Sequence, residues 1–149
     1  MRRQTDGALR LIIGAYTDSL PHVQAKGVGI TFLTFDPDTG RFSAGAEYTD
    51  IRNPTYLALS GDRRWLYAVE ELAEKDGAAV AVLNLDPDTL SLTAATRVPA
   101  HGDWPCHVSL DTAGERLFIS NYLNGTFVTY ALDGDGLPQP GALTIRRTG

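Results

Sequence analysis

Cys106 is the only cysteine in this chain, so no disulfide can form within it and its stability has to come from packing. No apolar run approaches the ~20 residues that cross a bilayer as a helix. The start, where polar residues follow Arg2 and Arg3, lacks the apolar core of a secretion signal. Both absences point to a cytoplasmic protein with no membrane partner. Positive charge is scarce too: 13 Lys and Arg stand against 18 Asp and Glu, a net charge of -5. The pairs Arg63-Arg64 and Arg146-Arg147 are too small to serve a nucleic-acid partner. Histidine and cysteine do not cluster, which argues against zinc, and no glycine-rich loop joins a strand to a helix around a nucleotide. Asp36-Pro37-Asp38-Thr39 and Asp86-Pro87-Asp88-Thr89 lack the further oxygen ligands and closing glutamate of a calcium loop, and read as hairpin turns. No metal and no cofactor is expected.

What the chain has instead is a repeat, the feature to seek first because it governs the fold. Leu33-Thr34-Phe35-Asp36-Pro37-Asp38-Thr39 returns as Leu83-Asn84-Leu85-Asp86-Pro87-Asp88-Thr89, fifty positions later. Pro54 and Leu66-Tyr67 return as Pro105 and Leu117-Phe118 after fifty-one. Val82-Leu83-Asn84-Leu85-Asp86 returns as Thr129-Tyr130-Ala131-Leu132-Asp133 after forty-seven, which puts the length difference in a solvated loop from Glu70 to Gly77. The central unit predicts four strands, near 55–60, 65–70, 78–86 and 91–97. Val80, Val82 and Asn84 face one way and Ala81, Leu83 and Leu85 the other, which is the period of a strand. Ser60-Gly61-Asp62 and the Asp-Pro-Asp-Thr segments supply turn chemistry. Such units at a period near fifty predict an all-β chain, a β-propeller of four-stranded antiparallel blades. A β-sandwich also spaces short strands regularly, but does not normally repeat in register.

About three blades fit into 149 residues, whereas propellers typically close with four to eight. Open ends would leave apolar faces and strand edges uncovered. The expectation is therefore a piece: residues 1–10 a poorly ordered leader, and residues 11–149 the N-terminal part of a propeller domain whose C-terminal blades are missing. Whether the piece self-assembles, and in what oligomeric state, is left open.

His107 follows the Trp104-Pro105 turn at the start of an inner strand, which in a propeller lies near the mouth of the central channel. Its imidazole is suited to proton transfer near neutrality. The unit before it, Asn53-Pro54-Thr55-Tyr56-Leu57, has no histidine, so one copy alone carries an acid–base residue. Glu70 and Glu71 end a strand of the central unit where side chains reach the mouth; they read either as substrate contacts or as the start of a solvated loop. Asn121 and Tyr122 hold the matching places one unit later. Asn121 offers a donor and an acceptor to a substrate or to turn backbone. Tyr16 and Thr17, on the opening strand, are further candidates. Cys106 reads as a small buried residue rather than a nucleophile, and His22 and His101 as exposed loop residues.

With these residues in place the chain resembles the seven-bladed β-propeller lactonase family, which includes bacterial cytosolic 6-phosphogluconolactonases and fungal carboxy-cis,cis-muconate cyclases. Gly14-Ala15-Tyr16-Thr17 resembles the family's opening G-T-Y-T, and Phe35-Asp36-Pro37-Asp38-Thr39-Gly40 its F-D-P-x-T-G. Asn53 to Ser60 resembles N-P-S-Y-L-A-x-S, Pro105-Cys106-His107-Val108 resembles P-C-H-V, and Asn121-Tyr122 matches part of A-N-Y-G-x-G. The last motif departs at Leu123-Asn124, a tip loop near the expected site. The resemblance implies a lactone hydrolase, with 6-phosphogluconolactone of the pentose phosphate pathway as substrate and a small sugar lactone as its one partner. It also implies His107 as general acid/base. An arginine and a glutamate that act with it are expected beyond Gly149, so that the piece alone turns over little. Another lactonase, a muconate-type cycloisomerase and a non-catalytic binding propeller are the alternatives.

Overall fold

The structure, a computed structural model, describes residues 7–21 and 23–146; the expectations for residues 1–6, His22 and residues 147–149 lie outside it. Eleven strands are described: β1 (Leu9–Gly14), β2 (Ile30–Asp36), β3 (Arg41–Tyr48), β4 (Leu57–Leu59), β5 (Trp65–Glu70), β6 (Ala79–Asp86), β7 (Ser91–Pro99), β8 (Pro105–Leu110), β9 (Arg116–Asn121), β10 (Thr126–Ala131) and β11 (Leu143–Arg146). They form three antiparallel sheets in chain order, β1–β3, β4–β7 and β8–β11. These are three blades, as the repeat implies. Among the described residues the first holds three strands: the repeat makes β1 the counterpart of β5 and β9, so no strand is described at its innermost place. Strand β1 also begins inside the stretch expected as leader, because Leu9 and Arg10 pair with Phe35 and Thr34.

The strand ranges follow local chemistry. Strand β4 is shorter than its pattern suggests because Pro54 has no N–H and the Thr55 N–H turns back onto the Asn53 carbonyl at 2.8 Å. The ladder still reaches Tyr56 and Ser60, which bond Val69 and Trp65. The β2–β3 and β6–β7 hairpins turn on Asp36 and Asp86, each accepting two backbone N–H groups from the residues that follow, as the sequence implied for turns rather than ion sites. In both hairpins the outer strand carries a bulge, opposite Thr31–Leu33 in one and Val82–Leu83 in the other. The loop after Glu70 departs from expectation. Glu70, Glu71 and Leu72 are buried, and the solvated part is the short 3₁₀ turn Glu74–Asp76 with Gly77, because this loop packs onto the neighbouring blades.

Alternation along blade 2 builds the core. Leu66, Ala68, Ala81 and Leu83 face blade 1, where they meet Ile30, Ile51 and Ile12. Tyr67, Val69, Val80 and Val82 face blade 3, where they meet Val108, Leu117, Ile119, Val128 and Tyr130. The central blade is thus buried on both faces, and its outer strand β7 is largely exposed. Polar clamps close the seam between blades 2 and 3. The Tyr67 hydroxyl donates to the Gly136 carbonyl at 2.6 Å, and burial pushes that phenol up to about 12, so it stays a donor. The Trp65 indole donates to the Asp135 carbonyl beside it. Gly136 has φ +88, and a Cβ there would meet the Trp65 ring at 2.8 Å, so the clamp needs glycine.

Leu83→Ala is expected to destabilise the chain by about 2–5 kcal/mol in denaturant titration. Thr93→Ala, on exposed β7, is expected to stay within about 0.5 kcal/mol. Equal effects from the two would refute burial of both faces of the central blade.

Candidate functional site

One end of the blades is assembled around Asn53, which is fully buried with φ +45. Its Oδ1 accepts the backbone N–H groups of Thr17 at 3.0 Å and Asp18 at 2.9 Å, and its Nδ2 donates to the Glu71 carbonyl at 3.2 Å. One amide therefore ties the loop of blade 1 to blade 2. Gly14 lets the two approach: a Cβ there would lie 1.8 Å from the Pro54 carbonyl oxygen. Trp104, fifty-one residues after Asn53, also has positive φ, at +59, and also precedes a proline. For so bulky a residue this backbone costs of the order of 1–3 kcal/mol. Bonds at both its ends hold it: its N–H donates to Leu72 at 2.8 Å and its carbonyl accepts from Tyr122 at 3.2 Å.

The repeat makes Tyr16, Glu71 and Tyr122 equivalent, one per blade, each just past the second strand of a complete unit. Glu71 is 8% exposed. One carboxylate oxygen accepts the Tyr16 hydroxyl at 2.7 Å and the other the Thr55 hydroxyl. Burial raises the Tyr16 phenol, and the bond to Glu71 and its charge raise it further. Glu70 is buried as well, in a two-point ion pair with Arg97, and accepts the Arg52 N–H at 3.3 Å. Neither acid is the solvated loop start that composition suggested, and both have their oxygens occupied by protein donors. Asn121 is likewise turned inward: its Nδ2 donates to Ala100 and Thr126, both at 2.9 Å, while its Oδ1 has no partner among the described residues. Tyr122 is exposed, its ring 6.5 Å from that of Trp104. Thr17 is spent on Asn53, and its hydroxyl bonds Asp18 at 3.0 Å. His101 is exposed, as expected, and stacks on Tyr130 at 6.2 Å.

His107 stands on β8 directly after a bulge. Pro105 pairs with Asn121 and His107 with Ser120, leaving Cys106 as the extra residue. Bulges of this kind re-aim the side chains beside them. The His107 ring meets that of Tyr56 with centroids 4.4 Å apart and planes 48° from parallel. Both residues line a cleft of ≈ 650 Å³ that runs between β4 and β8 to the turns at Ser60–Asp62 and Asp111–Gly114. Its far end is acidic, with Asp62, Asp111, Asp133 and Asp135, and its lysine and arginine complement is Arg64 alone, which is drawn to Asp135 at 3.5 Å. Sequence reading missed Tyr56, although the proline offset of fifty-one aligns it with His107. It also missed the buried roles of Asn53 and Thr55, because nothing in a residue's type announces that its partner lies on another blade. No group of His, Cys, Asp and Glu among the described residues is placed to hold a metal ion. Cys106 is half-buried rather than buried, with Sγ 3.6 Å from the Ser120 carbonyl. Its thiol is raised by burial first and by the Glu71 charge second.

That second cause gives a direct test. Glu71→Gln removes a negative charge beside Cys106, lowers the thiol's pKa and is expected to speed its alkylation by iodoacetamide at pH 8, with the near-ultraviolet dichroism unchanged. An equal or slower rate would separate Cys106 from Glu71.

Comparison with known proteins places this geometry. Residues 10–149 match the family described as Lactonase, 7-bladed beta-propeller. The chain is 26% identical to the 6-phosphogluconolactonase of Bacillus subtilis over 137 residues, 92% of this chain and 37% of that protein. It is 26% identical to the 6-phosphogluconolactonase of Formosa agariphila over 126 residues, 85% of this chain and 34% of that protein. The chain thus spans about a third of the length of these curated relatives. Among solved structures it superposes on a Bacteroides fragilis protein proposed to be a 6-phosphogluconolactonase, with a TM-score of 0.84 and 25% identity over 100% of this chain and 39% of that one. It superposes on the periplasmic gluconolactonase of Pseudomonas aeruginosa with a TM-score of 0.76 and 25% identity over 87% of this chain and 36% of that one. Three repeating β-blades in register, and a family match over nearly the whole chain, establish that it belongs to the seven-bladed β-propeller lactonases.

Proposed function

We propose that these blades form part of a lactone hydrolase acting on 6-phosphogluconolactone, with His107 as its general acid/base. The observation that carries this reading is the match of residues 10–149 to a lactonase family, with a histidine of the inner strands on the cleft. In the proposed reaction His107 takes a proton from water as the oxygen attacks the lactone carbonyl. The tetrahedral oxyanion then collapses, the ring C–O bond breaks, and the proton passes to the departing ring oxygen, leaving a carboxylic acid that ionises. Tyr16, Glu71, Glu70 and the Nδ2 of Asn121 support this as a frame: these groups are bound to protein and hold the turns before β4 and β8. Tyr122, exposed on the same rim, is the one of these candidates left to touch a substrate. Oxyanion stabilisation and phosphate binding both call for cationic or N–H donors. Arg64 is tied to Asp135, and Arg52 and Arg97 to Asp18 and Glu70, so those donors are assigned to further blades of a seven-bladed ring. A phosphorylated lactone does not cross bilayers, so the reading goes with a cytoplasmic enzyme.

The scarcity of free cations in the cleft favours a second reading, an unphosphorylated sugar lactone, which the likeness to the P. aeruginosa gluconolactonase supports.

The test is lactone hydrolysis above the spontaneous background, by the protein carrying this chain in a complete ring. His107→Ala is expected to lower kcat by about 10²–10⁴-fold. The 149-residue chain alone is expected to show little turnover. Turnover of glucono-lactone with none of its 6-phosphate would select the second reading. A folded parent inactive on both would overturn the enzyme reading in favour of a binding propeller.

A further inference from the structure

We propose that Tyr56 is the positioning residue of His107, holding the imidazole against its ring so that the nitrogens stay aimed at the cleft. The inference deepens the proposed function and rests on it for the catalytic part. Three observations carry it.

The first is the contact itself. The rings lie 4.4 Å apart between centroids and tilted by 48°, within the range in which aromatic pairs attract. The second is the absence of any other tether. An imidazole that moves protons is normally oriented by a hydrogen bond to its second nitrogen. Among the described residues His107 makes no side-chain hydrogen bond, and its cross-strand neighbour Ser120 gives its carbonyl to the Cys106 thiol. The third is the way the fold produces the pair. Tyr56 and His107 occupy the same place in successive blades, each two residues after the proline that follows a positive-φ residue. Each blade would thus send one ring to the same lip, and the two meet across the seam.

Tyr56 is itself held from behind. Its carbonyl accepts the Val69 N–H at 3.0 Å, and the preceding Thr55 is fixed by its hydroxyl to Glu71. The Glu71–Thr55 bond therefore anchors the start of β4 next to the ring that braces His107. Tyr56 is 42% exposed and belongs to neither core cluster, so its replacement is expected to leave the packing between blades intact.

The experiment compares Tyr56→Leu and Tyr56→Phe in two measurements. The first is independent of activity: the His107 ring-proton resonance, identified among the three histidines by its loss in His107→Ala. It is expected to be displaced by the aromatic ring current in the parent and in Tyr56→Phe, and to return toward the free-imidazole position in Tyr56→Leu. No change in Tyr56→Leu overturns the proposal, whatever the activity. The second is lactone hydrolysis in the complete ring. Misplacing a catalytic group by about 1 Å costs up to about 10²-fold, so kcat in Tyr56→Leu is expected to fall about 10- to 100-fold with KM nearly unchanged. Tyr56→Phe, which keeps the ring, is expected to restore kcat to within about threefold. A rise in KM with kcat intact would make Tyr56 a substrate contact and overturn the positioning role. If the parent hydrolyses no lactone the functional reading fails, while the resonance still decides whether Tyr56 orients His107.

Discussion

A strand that alternates apolar side chains to both faces of its sheet cannot bury them within that sheet. Strands β5 and β6 are of this kind, and every other feature of the chain follows from how their two faces are covered. Leu66, Ala68, Ala81 and Leu83 need blade 1, and Tyr67, Val69, Val80 and Val82 need blade 3. Cohesion comes from burial between sheets, at roughly 25 cal/mol per Å² of apolar surface. That burial fixes how blades stack and brings the ends of β1, β5 and β9 to one rim.

The rim is where apolar packing gives way to specific polar bonds. Asn53 binds backbone from two blades, and Glu71 gathers hydroxyls from Tyr16 and Thr55. Buried polar groups are costly when unpaired, so such a network holds one arrangement against others. Its effect is to set two turns, each with a left-handed residue before a proline, from which the inner strands start. The second turn adds the Cys106 bulge, and there the repeat delivers a histidine in place of tyrosine.

The fold was largely legible because its causes are periodic. Val80 to Leu85 alternate, the Asp-Pro-Asp-Thr turns recur, and the offsets of fifty and fifty-one align whole units; the observed β5 coincides with the stretch read from sequence. Strand ends were less legible, as at β4, where Pro54 and the Thr55 turn shorten the strand in a way that alternation does not report. The place of His107 at the start of an inner strand was legible, and β8 carries it to the cleft. Position singled out Glu70, Glu71 and Asn121 as rim residues but not their burial, because a charged or amide side chain at a strand end looks the same whether it faces solvent or a neighbouring blade. Tyr56 went unnoticed because tyrosine on an inner strand reads as packing until its contact is known. Gly14 is the reverse case: a glycine in a recognisable motif whose reason, the 1.8 Å approach of a Cβ to the Pro54 carbonyl, appears only in three dimensions.

The central claim is that a sugar lactone meets the protein at the Tyr56–His107 lip. The most direct measurement is a crystal structure of the complete ring with the hydrolysis product, 6-phosphogluconate, bound. The account predicts the product carboxylate within hydrogen-bond reach of the His107 imidazole, roughly 2.6–3.2 Å or through one water. A product seated at the acidic end of the cleft, beside Asp111 and Asp133, or on an outer blade face, would contradict it.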